Sequence, residues 1–345
     1  MNTGIMMPGD GTVGEPESPK SNASSFVDVR DAEFENGTAK YRPPDLLVSV
    51  LVCSFYVTVS GAMVFLNKAL SYTFGFRTTN SLLMLQMIWQ VLVVSLVKSK
   101  GRGMQVERIQ WVHARRIAPV SLFYCLNSVF ALAALRELSV PAYSVLKRLA
   151  PIITLALEGV IMGKRPDIGS VLSLVTMSVG TVLLVTSDDT ASASGWILGA
   201  CSNISQALYL VFVKKSGAEK GLSSLTILYY HSILSLPFLG FLMVALGEIQ
   251  LLISYSEWTD PNFLLTLFAC VSMGLLLNYS LFLCTEKTSP TSTLVAGQFK
   301  AIVQSILGLF TFESVEVTAL FALGLMANVG GGLGYAYSKY KSMHR

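Results

Sequence analysis

Charged residues are scarce in this sequence. Asp, Glu, Lys and Arg make up 13% of its 345 residues, against roughly 25% in soluble domains, while 52% of the residues are hydrophobic. The apolar residues form runs of about 20, the length that a helix needs to cross a hydrocarbon core of about 30 Å. The composition therefore excludes an ordinary soluble domain and predicts an all-α polytopic membrane protein.

Residues suited to catalysis or metal binding are also few. The three histidines are far apart in sequence, and the five cysteines lie in apolar runs without a CxxC pair or a zinc-binding spacing. We therefore predict no enzyme activity, no metal site and no cofactor. The net charge of +4 is spread between the apolar runs and forms no basic patch, so we also predict no nucleic-acid partner.

Residues 1–44 differ from the rest of the chain. They are rich in Gly, Pro, Ser, Asp and Glu and lack both hydrophobic periodicity and a cleavable signal pattern, which predicts a disordered tail. After this tail, hydropathy and breaks at charges, Pro and Gly predict ten transmembrane helices. The predicted spans are residues 46–67, 79–97, 116–135, 141–162, 168–186, 194–213, 223–246, 262–284, 289–311 and 316–338.

The loop charges predict how these spans are oriented, because Lys and Arg accumulate in cytosolic loops. With a cytosolic N-terminus, 15 basic residues fall on the cytosolic side and 3 on the other. The 15 lie in segments 98–116, 164–165, 214–220, 287 and 339–345, and the 3 are Lys68, Arg77 and Arg136. We therefore predict that the N-terminal tail and a C-terminal tail, residues 339–345, are both cytosolic.

The fourth and ninth spans have similar patterns. Each begins with a small polar residue and a Pro, and each contains a lysine, Lys147 or Lys300. The spans lie five apart, and an odd number of crossings inverts one half of the chain relative to the other. We therefore predict two inverted five-helix repeats, residues 45–186 and 194–338, with a substrate site between them near the midplane.

Three basic residues lie inside predicted spans: Lys147, Arg148 and Lys300. Each costs about 2.5–3.5 kcal/mol at a helix centre on insertion scales. The acidic residue well inside a span is Glu158, about 16 Å along the helix from Lys147, so it cannot neutralise all three. Lys and Arg donate charge-assisted hydrogen bonds to phosphate oxygens, so these positions predict a site for a polyanion such as a diphosphate.

A structural alternative stays open for part of this pattern. Glu158 would then pair with Lys164 or Arg165, and one of the adjacent residues Lys147 and Arg148 would extend its charge to a membrane surface. The sequence leaves open which of those two residues faces a cavity.

Polar and aromatic residues near these cations are further candidates. Tyr143 lies one helical turn before Lys147. Tyr229, Tyr230 and His231 interrupt the apolar seventh span, where aromatic rings with polar tips would suit stacking on a base. An aromatic belt at the membrane interface is the alternative for these three residues.

Two further spans carry buried-type polar residues. Asn203, Gln206 and Tyr209 form one polar stripe in the sixth span, and Asn278 lies in the eighth. Hydrogen bonds between helices explain them as well as ligand binding does. The glycine cluster at 330–334 has no preceding strand and no Gly-Lys-Ser/Thr, so it predicts close helix packing and not a phosphate loop.

Several stretches together resemble the nucleotide-sugar transporters of solute carrier family 35, and most of all its D branch, in the drug/metabolite transporter superfamily. The resemblance covers residues 45–340. The matching stretches are FLNKALSYTFGF, LSVPAYSVLKRLAPIIT followed by EGV, LYYHS, and NYSLFLCTEKTSPTSTLVAGQFK.

Two motifs of that family bear on the substrate. GDP-mannose carriers have FYNN in the seventh helix. Here Tyr229 and Tyr230 match the two aromatics, while His231 and Ser232 replace the two Asn. AGQFK replaces the ninth-helix motif GALNK, which places Gln298 in the motif and retains Lys300. The resemblance therefore implies a nucleotide-binding site at these positions, and the lost Asn residues favour UDP-sugars over GDP-sugars.

The resemblance also implies a transport mechanism. A member of this family would import a nucleotide sugar, here of the UDP-GlcNAc, UDP-glucose or UDP-glucuronate type, into the Golgi lumen by alternating access. It would return a nucleoside monophosphate and need no metal or ATP. The alternatives are a GDP-sugar or other organic-anion carrier, a location in the endoplasmic reticulum, and a non-transporting scaffold or trafficking partner. A homodimer in the bilayer is compatible with any of these.

Overall fold

The computed structural model describes residues 46–76, 78–99, 106, 110–138, 140–183, 192–311 and 319–343. The predicted N-terminal tail, residues 1–44, lies outside this part. Within the described residues the longer helices are α1 (Leu46–Lys68), α2 (Thr79–Ser99), α3 (Trp111–Glu137), α4 (Val140–Arg148), α5 (Ala150–Met162), α6 (Ile168–Leu183), α7 (Ala193–Phe212), α8 (Ser224–Ala245), α9 (Glu248–Ile253), α10 (Pro261–Lys287), α11 (Pro290–Thr311) and α12 (Ala319–Met343). π-Helical turns follow α1 and α7, at Ala69–Thr73 and Val213–Gly217.

Six helical segments of the described chain are long and apolar enough to cross a membrane. They are Leu46–Thr73, Thr79–Ser99, Trp111–Glu137, Ala193–Lys220, Ser224–Ala245 and Pro261–Lys287. The chain is therefore an all-α, multi-pass membrane protein. The other four predicted spans coincide with α4 plus α5, α6, α11 and α12. That these four also cross the bilayer stays a prediction.

The helix of the tenth predicted span continues into the predicted C-terminal tail. α12 ends at Met343, so five of the seven residues 339–345 are helical, and their cytosolic location stays a prediction. Ser338, Ser342 and the lysines between them extend the helix beyond its apolar part, because Lys and Ser are adequate helix formers outside the bilayer. Residues 344–345 lie outside the described chain.

The predicted fourth span is two helices and not one. Pro151 lacks an N–H, and its ring would clash with the carbonyl of Lys147 in a continuous α-helix. The chain therefore breaks at Leu149, whose N–H donates to the Leu146 carbonyl in a tighter turn at 3.1 Å. The side-chain amide of Asn203 on α7 donates to the same carbonyl. Hydropathy alone did not reveal this break.

Five of the helix contacts are antiparallel pairs: α3 on α7, α1 on α10, α2 on α8, α5 on α11 and α6 on α12. α3 also packs on α8, and α5 on α7. The α1–α10 pair shows a uniform register. Cys53 contacts Cys284 at 3.4 Å near one end, and the Cys270 thiol donates to Asn67 at 3.2 Å near the other. The two contacts are 14 residues apart on both helices, so these helices pack closely over four turns.

Glycines bring α6 and α12 together, as the cluster at 330–334 predicted. A Cβ at Gly331 would lie 2.6 Å from the backbone N of Met177, and one at Gly180 would lie 2.7 Å from the backbone N of Asn328. Small residues permit this close approach of two helix backbones, which is a common basis of helix packing in membranes.

Candidate functional site

The Lys147 ammonium lies among neutral oxygen atoms from two other helices. Its Nζ donates to Asn127 Oδ1 at 3.0 Å, Ser202 Oγ at 2.7 Å and Gln206 Oε1 at 3.0 Å. Asn127 is on α3, and the other two residues are on α7. Nζ also lies 5.7 Å from the centre of the Tyr143 ring, in cation–π contact. Tyr143, one turn earlier on α4, thus contacts this cation, and its role as a ligand contact stays a prediction.

The charge of Arg148 has no such set of oxygens. Its side chain is half-buried, and it makes no hydrogen bond or ion pair with the described residues. A guanidinium carries five N–H donors, and leaving them unpaired in a partly buried place is costly. Arg148 is therefore available to bind an anion.

Lys300 is the third buried cation. Its Nζ donates to Ser60 Oγ on α1 at 2.7 Å, and no carboxylate of the described chain lies within ion-pair distance. Gln298 lies two residues earlier on α11, half-buried and without a hydrogen bond in the described part of the structure. α11 therefore presents one cation and one unpaired amide.

The α5–α11 pair places the lysines at the same end of the bundle. Ile152 and Leu155 of α5 pack in one cluster with Val295 and Phe299 of α11, whereas Glu158, later in α5, contacts Thr291 at the start of α11. Lys147 precedes Ile152 and Lys300 follows Phe299. Because the helices are antiparallel, both lysines lie on the side of this cluster away from Glu158. We call Lys147, Arg148 and Lys300 the lysine layer.

The opposite end of α5–α11 carries compensated charges. The Glu158 carboxylate accepts hydrogen bonds from the backbone N–H of Thr291 at 3.4 Å and from its hydroxyl at 2.8 Å. Glu158 therefore does not pair with Lys164, whose ammonium lies 3.1 Å from Glu219. In the described chain Glu158 forms no ion pair with Lys164 or Arg165, because the N–H groups at the buried N-terminus of α11 lack helix partners and compete for its carboxylate.

Two more charged residues belong to this end. Lys214 is 2% exposed, and its ammonium donates to the Glu286 and Thr288 carbonyls at the C-terminus of α10. The Glu286 carboxylate in turn accepts from the backbone N–H and hydroxyl of Ser224, at the start of α8. We call Glu158, Lys214 and Glu286, with these partners, the charged end. It joins the termini of α8, α10 and α11.

The aromatic pair of the seventh span lies far from Lys147. The Tyr230 hydroxyl accepts from the backbone N–H of Gln110 at 2.7 Å, and Tyr229 lies beneath the ammonium of Lys98 at 5.4 Å. Gln110 and Asn127 are separated by about 25 Å along α3. Both tyrosine side chains are buried inside the bundle, whereas the rings of an aromatic belt face lipid, so their burial argues against the belt. The structure does not bring them together with the lysine layer.

His231 is closer to the lysine layer. Its side chain is fully buried, with Nδ1 3.2 Å from the Ser121 hydroxyl, about 9 Å along α3 from Asn127. The rings of Tyr124, Tyr209 and Phe282 surround the imidazole, whose Nε2 has no partner among the described residues. An unpaired buried nitrogen at this level is a candidate contact for a polar ligand edge or a bound water.

The two asparagine candidates have different environments. Asn203 is fully buried, and its amide bonds to the carbonyl exposed by the break between α4 and α5. This contact holds the C-terminal end of α4 against α7, and so helps to position Lys147. Asn278 on α10 is 8% exposed and makes no hydrogen bond with a described residue. Its role as a ligand contact stays a prediction.

The oxygen acceptors of the lysines were missing from the predicted site. Asn127, Ser202 and Ser60 are single polar residues in apolar spans, and Gln206 was noted only as part of a stripe. Such residues could have been shortlisted, because polar side chains in a membrane span face the bundle interior. Their pairing with particular lysines required the packed helices.

Comparison with known proteins gives a consistent result along the helical part of the chain. A model of the Triose-phosphate Transporter family matches residues 47–336. UDP-galactose/UDP-glucose transporter 7 of Arabidopsis thaliana is 37% identical over 304 residues, covering 86% of this chain and 92% of that protein. Nucleotide sugar transporter SLC35D2 of Homo sapiens is 26% identical over 315 residues, covering 91% and 93%. Among the solved structures that match, a crystal structure has a TM-score of 0.60 at 13% identity and covers 85% of this chain and 98% of the other, which supports the fold alone.

Proposed function

Because this chain belongs to the Triose-phosphate Transporter family, we propose that it is an antiporter that imports UDP-sugars into the Golgi lumen in exchange for a nucleoside monophosphate. The observation that carries the proposal is the lysine layer. Two of its cations, Arg148 and Lys300, have unpaired N–H donors in a partly buried place, and no carboxylate pairs with any of the three in the described chain. A diphosphate would supply both the charge and the acceptors.

The names of related proteins support the choice of substrate. The Arabidopsis relative is named for UDP-galactose and UDP-glucose, and a Dictyostelium discoideum relative, 31% identical over 270 residues, is named as a putative UDP-sugar transporter. A uridine ring is smaller than guanine, and His231 with its unpaired Nε2 would offer one polar contact to its edge. We therefore propose UDP-sugars of the glucose, N-acetylglucosamine or glucuronate type.

We propose that ten crossings form two inverted five-helix halves. If α7 corresponds to α1, α8 to α2 and α10 to α3, then the α1–α10 and α7–α3 pairs are equivalent contacts. The α2–α8, α5–α11 and α6–α12 pairs each join corresponding helices, and a π-helical turn follows both α1 and α7. Inverted repeats of this kind support alternating access around a site between the halves.

The same arrangement suggests which side is closed. With cytosolic termini, the charged end would lie on the cytosolic side, and its hydrogen bonds would close that route to the lysine layer. Import would require these bonds to break while corresponding contacts form on the lumenal side. Both the nucleotide sugar and the monophosphate carry phosphate, so either ligand would pair with the cations while the carrier changes from one open side to the other.

A ligand panel on the purified protein tests the proposal. UDP-sugars and UMP should raise the melting temperature, since a ligand at 100 times its Kd stabilises the folded state by about 2.7 kcal/mol. GDP-sugars and CMP-sugars should stabilise less at equal concentration. A scaffold without transport activity would gain stability from none of them, and stronger stabilisation by GMP than by UMP would support the GDP-sugar alternative.

Transport itself is measured in reconstituted liposomes. Labelled UDP-glucose should enter liposomes loaded with UMP, and external UMP should compete better than GMP. Failure of every nucleotide to exchange, with a folded protein, would contradict the proposed function.

A further inference from the structure

The two buried lysines differ in how many N–H donors are paired. An ammonium has three N–H donors. At Lys147 all three bond to neutral oxygens of α3 and α7, whereas Lys300 has one bond, to Ser60, and two donors without a partner in the described chain. The two residues occupy corresponding helices of the proposed halves. Their different numbers of hydrogen bonds therefore do not result from different places in the repeat.

The oxygens around Lys147 belong to a fixed contact. Ser202 donates to Asn127 Oδ1 at 2.9 Å, and ten residues further along both helices Glu137 accepts from the hydroxyl of Ser192 at 2.9 Å. α3 and α7 are therefore held together at both places. The acceptors of Lys147 are therefore groups of the protein itself, and all three are in place in this structure.

This difference matters most in the empty carrier. Burying a charge with unpaired donors is far more costly than burying one whose donors are bonded. During the return of an empty carrier, Lys147 would keep its three oxygens, while Lys300 would enter a closed state with two donors unpaired. The cost of returning empty is therefore concentrated at Lys300.

We propose that Lys300, and not Lys147, makes exchange obligatory, and that Ser60 is the position from which a counter-charge would remove that requirement. This inference rests on the proposed antiport. Phosphate supplies the two missing acceptors of Lys300 in either direction of transport. A permanent carboxylate at Ser60, whose oxygen lies 2.7 Å from the ammonium, would supply them without a ligand.

The test uses the same substitution beside each lysine. Ser60→Asp places a carboxylate at Lys300, and Ser202→Asp places one at Lys147, where the serine oxygen is also 2.7 Å away. Ser60→Asn adds similar bulk without charge. Uptake of labelled UDP-glucose is measured in liposomes with internal UMP, which reports exchange, and without any internal nucleotide, which reports net transport.

We expect net uptake by the unmodified protein to be at least about tenfold slower than exchange, a ratio equivalent to about 1.4 kcal/mol. In Ser60→Asp exchange should slow because the carboxylate competes with phosphate, and the ratio of net uptake to exchange should rise about tenfold, towards one. Ser202→Asp and Ser60→Asn also alter acceptors of the site and should slow exchange, but their ratio of net uptake to exchange should stay within about twofold of that of the unmodified protein, because neither compensates the unpaired charge at Lys300.

Other outcomes would overturn the inference. Equal increases in the ratio of net uptake to exchange in Ser60→Asp and Ser202→Asp would mean that the two lysines are equivalent, and an unmodified protein that fills empty liposomes as fast as loaded ones would mean that exchange is not obligatory. In both cases transport itself would stand. Absence of uptake under either condition would instead contradict the proposed function.

A second pair of variants keeps the inference testable if the aspartate variants fail to fold. Lys300→Gln removes the unpaired charge and weakens phosphate binding, so efflux of labelled UMP from preloaded liposomes should slow, and efflux into nucleotide-free medium should approach the rate into medium that contains UMP. In Lys147→Gln the ratio of these two rates should stay near that of the unmodified protein. A ratio that approaches one only in Lys147→Gln would assign the coupling to the other lysine.

Discussion

The lysine layer and the charged end bury the same kinds of side chain with opposite consequences. At the charged end, Lys214 donates to two carbonyls at a helix C-terminus, and the carboxylates of Glu158 and Glu286 accept from the N-termini of α11 and α8. Each charge faces the helix end of opposite partial charge. In the lysine layer, Arg148 and Lys300 have no comparable partner in the described chain.

The difference between the lysine layer and the charged end shows that buried charges in this protein fall into two groups, one that stabilises the fold and one that is left to bind a ligand. Compensated charges at the charged end hold helix termini together, so they should contribute to stability. The incompletely paired cations should cost stability and contribute to ligand binding instead. Substitutions in the two regions should therefore separate stability from transport, in opposite directions.

The largest expected effect is on exchange in Lys300→Ala. Loss of two charge-assisted hydrogen bonds to phosphate should lower exchange by about 100-fold, at about 1.5 kcal/mol per bond. The melting temperature should not fall, since only the bond to Ser60 is lost. Lys68→Ala, at the exposed end of α1, is the control and should exchange within about twofold of the unmodified protein. Equal losses in the two variants would remove the distinction between the regions.

The opposite result is expected for Lys214→Met at the charged end. Two buried carbonyls lose their donor, which should destabilise the protein by about 2–3 kcal/mol in a thermal or denaturant titration. Lys215→Met is the matched control, because its exposed ammonium makes one bond to the Ile161 carbonyl, and it should change stability by less than about 0.5 kcal/mol. A stable Lys214→Met protein would show that the charged end is not a stabilising cluster.

A steric change outside both regions provides a reference for these stability effects. Gly331→Ala would place a Cβ 2.6–2.8 Å from backbone atoms of α6 and should destabilise by about 2 kcal/mol. Gly330→Ala meets no atom within 4 Å, so its effect should be neutral or slightly stabilising. Similar melting temperatures for the two variants would contradict the close packing of α6 and α12.

The smallest effect is expected for Glu158→Gln. The amide still accepts from Thr291 but loses its favourable interaction with the N-terminus of α11, which should cost about 1 kcal/mol. Glu219→Gln, on an exposed side chain, should cost less than about 0.5 kcal/mol in the same measurement. If Glu158→Gln stabilised the protein, the carboxylate of Glu158 would be an uncompensated charge and not part of a stabilising cluster.

Hydropathy located the helices well for a physical reason. A backbone in the bilayer must satisfy its own hydrogen bonds, so an apolar run of sufficient length is helical there. The predicted spans 79–97 and 223–246 agree closely with Thr79–Ser99 and Ser224–Ala245. The break at Leu149 was missed because Pro151 was treated as part of an apolar run, although its missing N–H is visible in the sequence.

The site was predicted in part. Lys147, Arg148 and Lys300 were recognisable because a cation inside a span is expensive and needs a reason. Tyr229 and Tyr230 were grouped with them because they interrupt an apolar span and match a family motif, and the structure places these tyrosines beside Lys98 and Gln110 instead. Position along a helix does not specify which neighbouring helix a side chain meets.

The sequence by itself therefore determined the membrane environment, the course of the helices and the presence of buried positive charge, since each depends on composition over short segments. Only the tertiary structure decided which charges are compensated. Lys147 and Lys300 are equivalent in the sequence pattern, yet one has three oxygen partners and the other has one. That outcome depends on the rotation and register of α1, α3 and α7 around them, which arise from packing between segments far apart in the chain.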